Sequence, residues 1–439
     1  MRFNKNEVFE LNNKKIKILD LLGEGGQGEV YLVTDGTNKY AFKYYFEIPS
    51  DDFKYNLKCN IKKEAPSKHF LWPKEYVEFE DNTCGYIMDL RPNNFVSFVS
   101  YLNGKATFKT QHTLINWCLE LCLAFKKLHE LGYSYQDLND GSFFLDPETG
   151  DILICDNDNV TGDKRNLGVL GKMRYMAPEI VVSNANNGQQ QMPDIHSDRF
   201  SLAIILFLTL CLGNPFEGER LKKYDFVDEH SEQEMFGTNP IFVMHKDDKS
   251  NRPIRGYHTS VIKRWPLLPT YIKEAFHRTF VDGLKDRENE RTTELEWLRE
   301  LTKYRDELLT CSCHKQFIYG FFEKKINSNC PYCNNKTKRF CYIQVGRRKI
   351  ALEPNKSIYE FHLNKYSSEY NKVVAKVVVN KNNSALWGIK LNLDNDVLIK
   401  DQEGTVKNIL GSGVIPIVNN LKIKFSDECV AEIKVNKGE

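Results

Sequence analysis

The residues Leu21 to Val33, LLGEGGQGEVYLV, limit the fold more than any other part of this 439-residue chain. β-Prone residues flank the glycines, so KIKILDLLGEGGQGEVYLVTDGTNKYAFKYY reads as strand, glycine turn, strand, turn, strand. This differs from a dinucleotide-binding βαβ unit, whose third glycine would open a helix. Gly23, Gly25 and Gly28 would let the backbone N–H groups of a hairpin approach phosphates that side chains would block. Lys43, on the third strand, would then reach those phosphates as a point charge. The same glycines also suit a hairpin that binds nothing, and what stands downstream decides between the two.

Downstream, TLINWCLELCLAFKKLHELGYSYQDL places Leu114, Trp117, Leu121, Phe125 and Leu128 at a helical period that buries one face. The helix ends at Gly132 and runs into YSYQDLNDGSFFLD, a short loop that carries Asp137. GDILICDNDNV is then an apolar strand that delivers Asp156 at its end, followed by RYMAPEI and HSDRFSLAIILFL. The longest apolar run, Phe200 to Leu212, is too short to span a bilayer and reads as a buried helix.

These elements, in this order, resemble the eukaryotic-type protein kinase family. The resemblance covers about residues 12 to 305 and implies an α+β, bilobal fold, with an N-lobe over 12–90 and a C-lobe over 91–305 behind an extension of residues 1–11. It assigns Gly23, Gly25 and Gly28 to the loop over the phosphates of ATP and Lys43 to the α- and β-phosphates. Glu64, in a helical NLKCNIKKEA, is expected to pair with Lys43. Met88, Asp89 and Leu90 resemble the gatekeeper and hinge that hold adenine. Asp137 is implied as the base for the substrate hydroxyl and Asp156 as a ligand of Mg²⁺ or Mn²⁺. Glu179 would pair with Arg291, and Asp198 would brace the catalytic loop. GQGEVY, HFLWP, GYIMDLRP, YQDLNDGSFF, ICDNDNV, YMAPEIV and SDRFSLAIILF are similar to a bacterial branch associated with tellurium-resistance and stress-response operons.

Departures from the family pattern bear on whether chemistry occurs. Tyr135-Gln136-Asp137 replaces His-Arg-Asp, which removes the arginine that would read a phosphorylated activation segment. Asn139 stands where Ser/Thr kinases carry lysine, and Lys172 follows Gly171 where threonine is usual. Ser142 stands at the second metal-ligand position, and a hydroxyl is a poorer ligand for a hard cation than an amide carbonyl. Asp156-Asn157-Asp158 replaces Asp-Phe-Gly; in extended backbone Asp158 would face the same side as Asp156 and add a carboxylate to the metal site. The lysine, the base and the first metal ligand are retained, so the expected activity is transfer of the γ-phosphoryl group of ATP to serine or threonine of a protein. The alternative is a pseudokinase scaffold whose tail recruits partners. The APE segment resembles protein kinases rather than small-molecule kinases.

The tail changes pattern. Cys311 and Cys313, then Cys330 and Cys333 after 16 intervening residues, resemble a zinc ribbon over 306–340, with four thiolates closing a structural site for Zn²⁺ and His314 as an alternative ligand. The other eight cysteines are scattered as packed, reduced thiols, consistent with the cytoplasm. From 341 to 439, short alternating segments separated by turns such as NKNN and DQEG read as a small sandwich or barrel, faintly similar to forkhead-associated domains. The phosphopeptide spacing of that family is not reproduced by Ser357 and His362, so no phosphopeptide site is assigned, and docking of a protein partner and simple structural capping suit this region equally. Lys336, Lys338, Arg339, Arg347, Arg348 and Lys349 read as a solvated face, and SNANNGQQQMP as a surface loop. The polar N-terminus lacks a signal-peptide core. With 61 Lys and Arg against 59 Asp and Glu, the formal charge is +2, so no global field attracts nucleic acid or a membrane.

Overall fold

The computed structural model describes residues 3–165, 167, 171–185, 191–323, 329–336 and 340–436. Residues 186–190 of the expected surface loop, and Lys338 and Arg339 of the basic face, lie outside the described residues. The chain divides into two compact units. One comprises residues up to Lys109, Asn116–Pro266 and Lys273–Leu298; the other comprises Thr110–Ile115, Leu267–Ile272 and the chain from Arg299 onward.

The first unit opens with an antiparallel sheet of β1 (Val8–Leu11), β2 (Lys14–Glu24), β3 (Gly28–Thr34), β4 (Lys39–Tyr45), β5 (Pro73–Glu78) and β6 (Cys84–Asp89), in the order β1-β2-β3-β4-β6-β5. Both faces of β4 are covered. Phe42 and Tyr44 join a cluster with Phe3, Ile18, Tyr31 and Ile87, whereas Ala41 and Tyr45 pack with Phe53 and Leu57 of α1 (Asp51–Ile61), as the two-residue period of a strand requires. Ser50 caps α1 by accepting from the amide of Phe53, and Asp51 and Asp52 suit the positive end of its dipole. The helix stops at Ile61, four residues short of the expected stretch, and Glu64 falls in the loop that leads to Pro66, which disfavours helical backbone at Ala65.

The helical half of this unit begins with β7 (Val96–Ser97), α2 (Phe98–Leu102) and α3 (Gln111–Glu130). Leu114, Trp117, Leu121, Phe125 and Leu128 of α3 are buried, and Gly132 leaves the helix at a φ of +75° that favours glycine. Then follow β8 (Tyr133–Ser134), β9 (Phe143–Leu145), β10 (Ile152–Ile154) and β11 (Thr161–Gly162), short strands that display the loops between them. After α4 (Pro178–Ala185) comes α5 (Ile195–Cys211), which is buried from Phe200 to Cys211 and capped by a reciprocal Asp194–Ser197 pair. The helices α6 (Glu229–Gln233), α7 (Thr259–Arg264), α8 (Thr270–Phe280) and α9 (Glu294–Asp306) complete the helical series, and the boundary between the two units falls inside α9. Among the described residues no helix is long and apolar enough to cross a membrane.

The second unit holds the hairpin of β12 (Leu308–Thr310) and β13 (Gln316–Ile318), and two further sheets. One comprises β14 (Phe340–Val345), β15 (Arg348–Leu352), β19 (Val397–Lys400), β20 (Val406–Ile409), β22 (Lys422–Ser426) and β23 (Cys429–Asn436), in the order β15-β14-β23-β22-β19-β20. The other runs β16 (Ser357–Tyr359), β17 (Val373–Val379), β18 (Trp387–Leu391) and β21 (Val414–Pro416). Ile343, Ile350, Ile423 and Ile433 of the first sheet share one core with Ile358, Val377, Ile389 and Ile415 of the second, so this region is a sandwich and not a closed barrel. The hairpin does not stand apart from it: Leu309, Phe317, Tyr319 and Cys330 form a cluster with Phe340 and Ala351. His362 is buried and bonds Asp306 at 3.0 Å, Ser357 opens β16, and Lys349 lies over the rings of Phe321 and Tyr342.

Candidate functional site

The three glycines of the β2–β3 turn do different work. Gly23 and Gly25 are exposed; a Cβ at Gly23 would stand in open space and one at Gly25 would lie 4.0 Å from the Gly28 carbonyl oxygen, onto which the Gly25 amide closes the turn at 2.9 Å. Gly28 is buried, and a Cβ there would lie 2.0 Å from the carbonyl oxygen of Tyr44. Its lack of a side chain serves the close approach of β3 to β4 rather than room for phosphate.

Lys43 enters from the middle of β4. Its Nζ lies 2.8 Å from Oδ2 of Asp158 and 3.2 Å from Oδ1 of Asp156. Burial works against the ammonium, but the two carboxylates outweigh it and hold Lys43 above its ordinary pKa. Asp158 is fully buried and also accepts from the hydroxyls of Tyr45 at 2.6 Å and Tyr86 at 3.2 Å. Against the cost of burial, those partners, Lys43 first, keep its carboxyl below the usual range.

Two expectations are corrected here. Glu64 is exposed beyond the end of α1, and the carboxylates on Lys43 come from Asp156 and Asp158 instead. Nor is Asp158 a second metal carboxylate beside Asp156. The backbone is not extended between them: Asp156 is left-handed, at a φ of +55°, and Asn157–Asn159 form a 3₁₀ turn. One ammonium and two hydroxyls occupy the oxygens of Asp158, so its chemistry does not fit a cation ligand. The side chain of Asp156 is 40% exposed and fits a hard cation. α1 contributes amides rather than a carboxylate: Asn56 and Asn60 both donate to the Val160 carbonyl at 2.8 Å.

Asp137 lies in the loop after β8, close enough to Asp156, Lys43 and Lys172 to feel their charges. Burial raises its carboxyl above the ordinary range; Asp156 adds to this, and Asn139, Lys172 and Lys43 temper it. Asn139 donates to Oδ1 of Asp137 at 3.1 Å, and the Ser142 hydroxyl, fully buried, donates to the Asp137 carbonyl at 3.3 Å. Asp198 accepts from the amides of Tyr135 at 2.7 Å and Gln136 at 3.3 Å, which holds a loop whose Gln136 is left-handed at a φ of +69°. Behind it, His129 bridges Asp198 at 3.1 Å and Glu294 at 3.0 Å. Burial opposes its charge, yet these hydrogen bonds push the imidazole up to about 9. Glu179 and Arg291 form a two-pronged pair, both bonds 2.7 Å.

Met88 is buried at the end of β6 within a cluster that includes Ala41, with the half-buried Val30, Leu90 and Phe144 against it. These apolar groups from both halves of the unit suit the faces of a flat ring. Asp89 is exposed and pairs with Lys74 at 2.6 Å.

In the second unit the Sγ atoms of Cys311, Cys313, Cys330 and Cys333 all lie within 4.8 Å of one another, with Cys311 to Cys333 at 3.5 Å and Cys313 to Cys330 at 3.8 Å. Four thiolates about 2.3 Å from a central Zn²⁺ would be spaced about 3.8 Å apart, so the donor set fits that ion. The amide of Cys313 pulls the Cys311 thiol down to about 6. His314 is exposed and outside the group, so the four-cysteine set is the one assembled.

Tyr45, Tyr86, Asn56, Asn60 and His129 carry functions that the sequence reading did not assign. Tyr45 had a local signal, since it follows Lys43 by two residues on one strand face; Tyr86 is visible only through the register that sets it opposite Lys43.

A model of the protein kinase domain matches residues 16–299. Ribosomal protein S6 kinase alpha-2 of Homo sapiens is 28% identical over 222 residues, which is 48% of this chain and 28% of that protein. Ribosomal protein S6 kinase alpha-4 of Mus musculus is 39% identical over 223 residues, 46% of this chain and 27% of that protein. The putative ribosomal protein S6 kinase alpha-1 of Caenorhabditis elegans is 26% identical over 218 residues, and the chain covers 26% of it. The chain thus spans under a third of the length of these curated relatives. With a match covering the hairpin, the loop of Asp137 and the helices that brace it, this chain belongs to the protein kinase family.

Proposed function

We propose that the chain is an ATP-dependent Ser/Thr protein kinase. The observation that carries this reading is the convergence of Lys43, Asp156 and Asp137, a cation, an exposed carboxylate and a half-buried base, in a unit whose β2–β3 glycine turn leaves open space at Gly23. Phosphoryl transfer requires mainly positioning and charge stabilisation, and these groups supply both. Adenine would sit between Val30 and Ala41 above and Phe144 below, with the backbone of Asp89 and Leu90 at its edge. Mg²⁺ or Mn²⁺ would be held by Asp156 and, when bound, would neutralise phosphate charge. Ser142 is committed to the Asp137 carbonyl, so the reading rests on the Asp156 site. Asp137 would accept the proton of the attacking hydroxyl.

The likeness to ribosomal protein S6 kinases supports a protein acceptor, and the local sequence variants support the bacterial stress-operon branch. The four thiols would hold a structural Zn²⁺, and the sandwich, whose sequence is faintly similar to forkhead-associated domains, would recruit a protein partner. Incubating the chain with labelled ATP, Mg²⁺ or Mn²⁺ and a basic protein, beside Asp137→Asn, tests the activity. The expected outcome is transfer that falls by a factor of about 10² to 10⁴ in the variant. ATP binding with no transfer under either metal would replace this reading with a nucleotide-binding scaffold.

A further inference from the structure

The acceptor side of the site lacks a committed cation on the catalytic loop itself. Asn139 is neutral, and its amide is used at both ends: Oδ1 accepts from the Gly141 amide at 2.9 Å, and Nδ2 donates to the carboxylate and the carbonyl of Asp137 at 3.1 and 3.2 Å. The neighbouring charge comes from another segment. Gly171 packs so closely on the base that a Cβ there would lie 3.1 Å from Oδ1 of Asp137. The next residue, Lys172, lines the same small cavity as Gln136, Asp137 and Tyr175. Its Nζ lies 3.0 Å from Oδ1 of Asp140, three residues beyond the base. That pair is exposed, with the lysine side chain 57% accessible, so solvent screens it and it restrains the ammonium only weakly. A phosphate group arriving beside Asp137 would compete for it successfully.

We propose that Lys172 is a catalytic residue of the reaction proposed above, its ammonium bonding the γ-phosphoryl oxygens of ATP on the acceptor side. In the transfer, the hydroxyl oxygen of the acceptor bonds to the γ-phosphorus, and its proton goes to the Asp137 carboxylate. The bond from that phosphorus to the bridging oxygen breaks, and ADP leaves with the electron pair. Charge spread over the moving phosphoryl group is then met by Lys43 on the donor side and by Lys172 on the acceptor side. The lysine and the neutral residue have exchanged places between two segments that touch at Asp137, so the charge of the site is kept although the loop residue is not.

The inference rests on the kinase reading, and the test separates the two. Full-length chain, Lys172→Met, Lys172→Arg and the double variant Lys172→Met with Asn139→Lys are compared for turnover with labelled ATP, for ATP affinity by calorimetry and for melting temperature. Lys172→Met should lower kcat at least about tenfold, with ATP affinity within about threefold and melting unchanged. Lys172→Arg should keep most of the activity, and Asn139→Lys should restore at least part of what Lys172→Met loses. An active parent with Lys172→Met turnover within twofold overturns this inference alone. So does a loss that Asn139→Lys does not repair, which would mark Lys172 as a structural partner of Asp140. A parent that binds ATP and transfers nothing overturns the kinase reading and this inference together.

Discussion

Asp158 holds the ammonium of Lys43 in the site. It is fully buried, 2.8 Å from Lys43 and bonded to two tyrosine hydroxyls, while Glu64 is exposed. Removing one partner from a buried ion pair leaves an uncompensated charge and costs about 3–5 kcal/mol. Asp158→Asn should therefore lower stability by that order in urea titration and reduce phosphoryl transfer about a hundredfold by misplacing Lys43. Glu64→Gln should leave both within about twofold of the parent. The reverse ranking would return the pairing role to Glu64. Gly28 gives the same lesson on a smaller scale, because its glycine answers to the Tyr44 carbonyl and not to a ligand.

Among the elements, α3, α5 and the start of α9 meet at one buried histidine. His129 of α3 lies between Asp198 of α5 and Glu294 of α9, and Asp198 in turn holds the amides of Tyr135 and Gln136. The folded pKa of about 9 lies above the ordinary 6.5, so the stabilisation is fully present below about 6.5 and is lost as pH rises through 9. The shift corresponds to an upper bound of about 3 kcal/mol. Melting temperature should decline between pH 6.5 and 9, and His129→Gln should start lower and flatten that slope. An unchanged slope in the variant would place the pH dependence elsewhere. The element periods of α3 and α5 were legible because their apolar residues recur every three or four positions. The end of α1 is not legible in the same way, because helix-compatible residues continue past Ile61 as far as Glu64.

At the scale of the whole molecule, the first unit brings Lys43 of its sheet against Asp156 and Asp158 of the loop after β10, and the second is organised around a ten-stranded sandwich with a hairpin packed on it. The four thiols sit where the β12–β13 turn meets the second cysteine pair, beside a cluster of Leu309, Phe317 and Phe340. One zinc per chain should be found by elemental analysis. A chelator, or Cys330→Ser, should lower the melting temperature and increase amide exchange in β12 and β13 before the sandwich core. Metal-free protein with unchanged melting would remove zinc from the account. What the sequence alone determined are the features encoded in contiguous residues: a glycine turn between strands, amphipathic helices, paired cysteines, and strands alternating with turns. Backbone preference and hydrophobic period act over a few residues, so they can be read in order along the chain. Only the tertiary structure decided which carboxylate faces Lys43, 115 residues away from Asp158, and that Lys172 stands beside Asp137. Such pairings depend on a left-handed residue at Asp156, the early end of a helix and the packing of separate segments, and residue order carries no distance between groups so far apart.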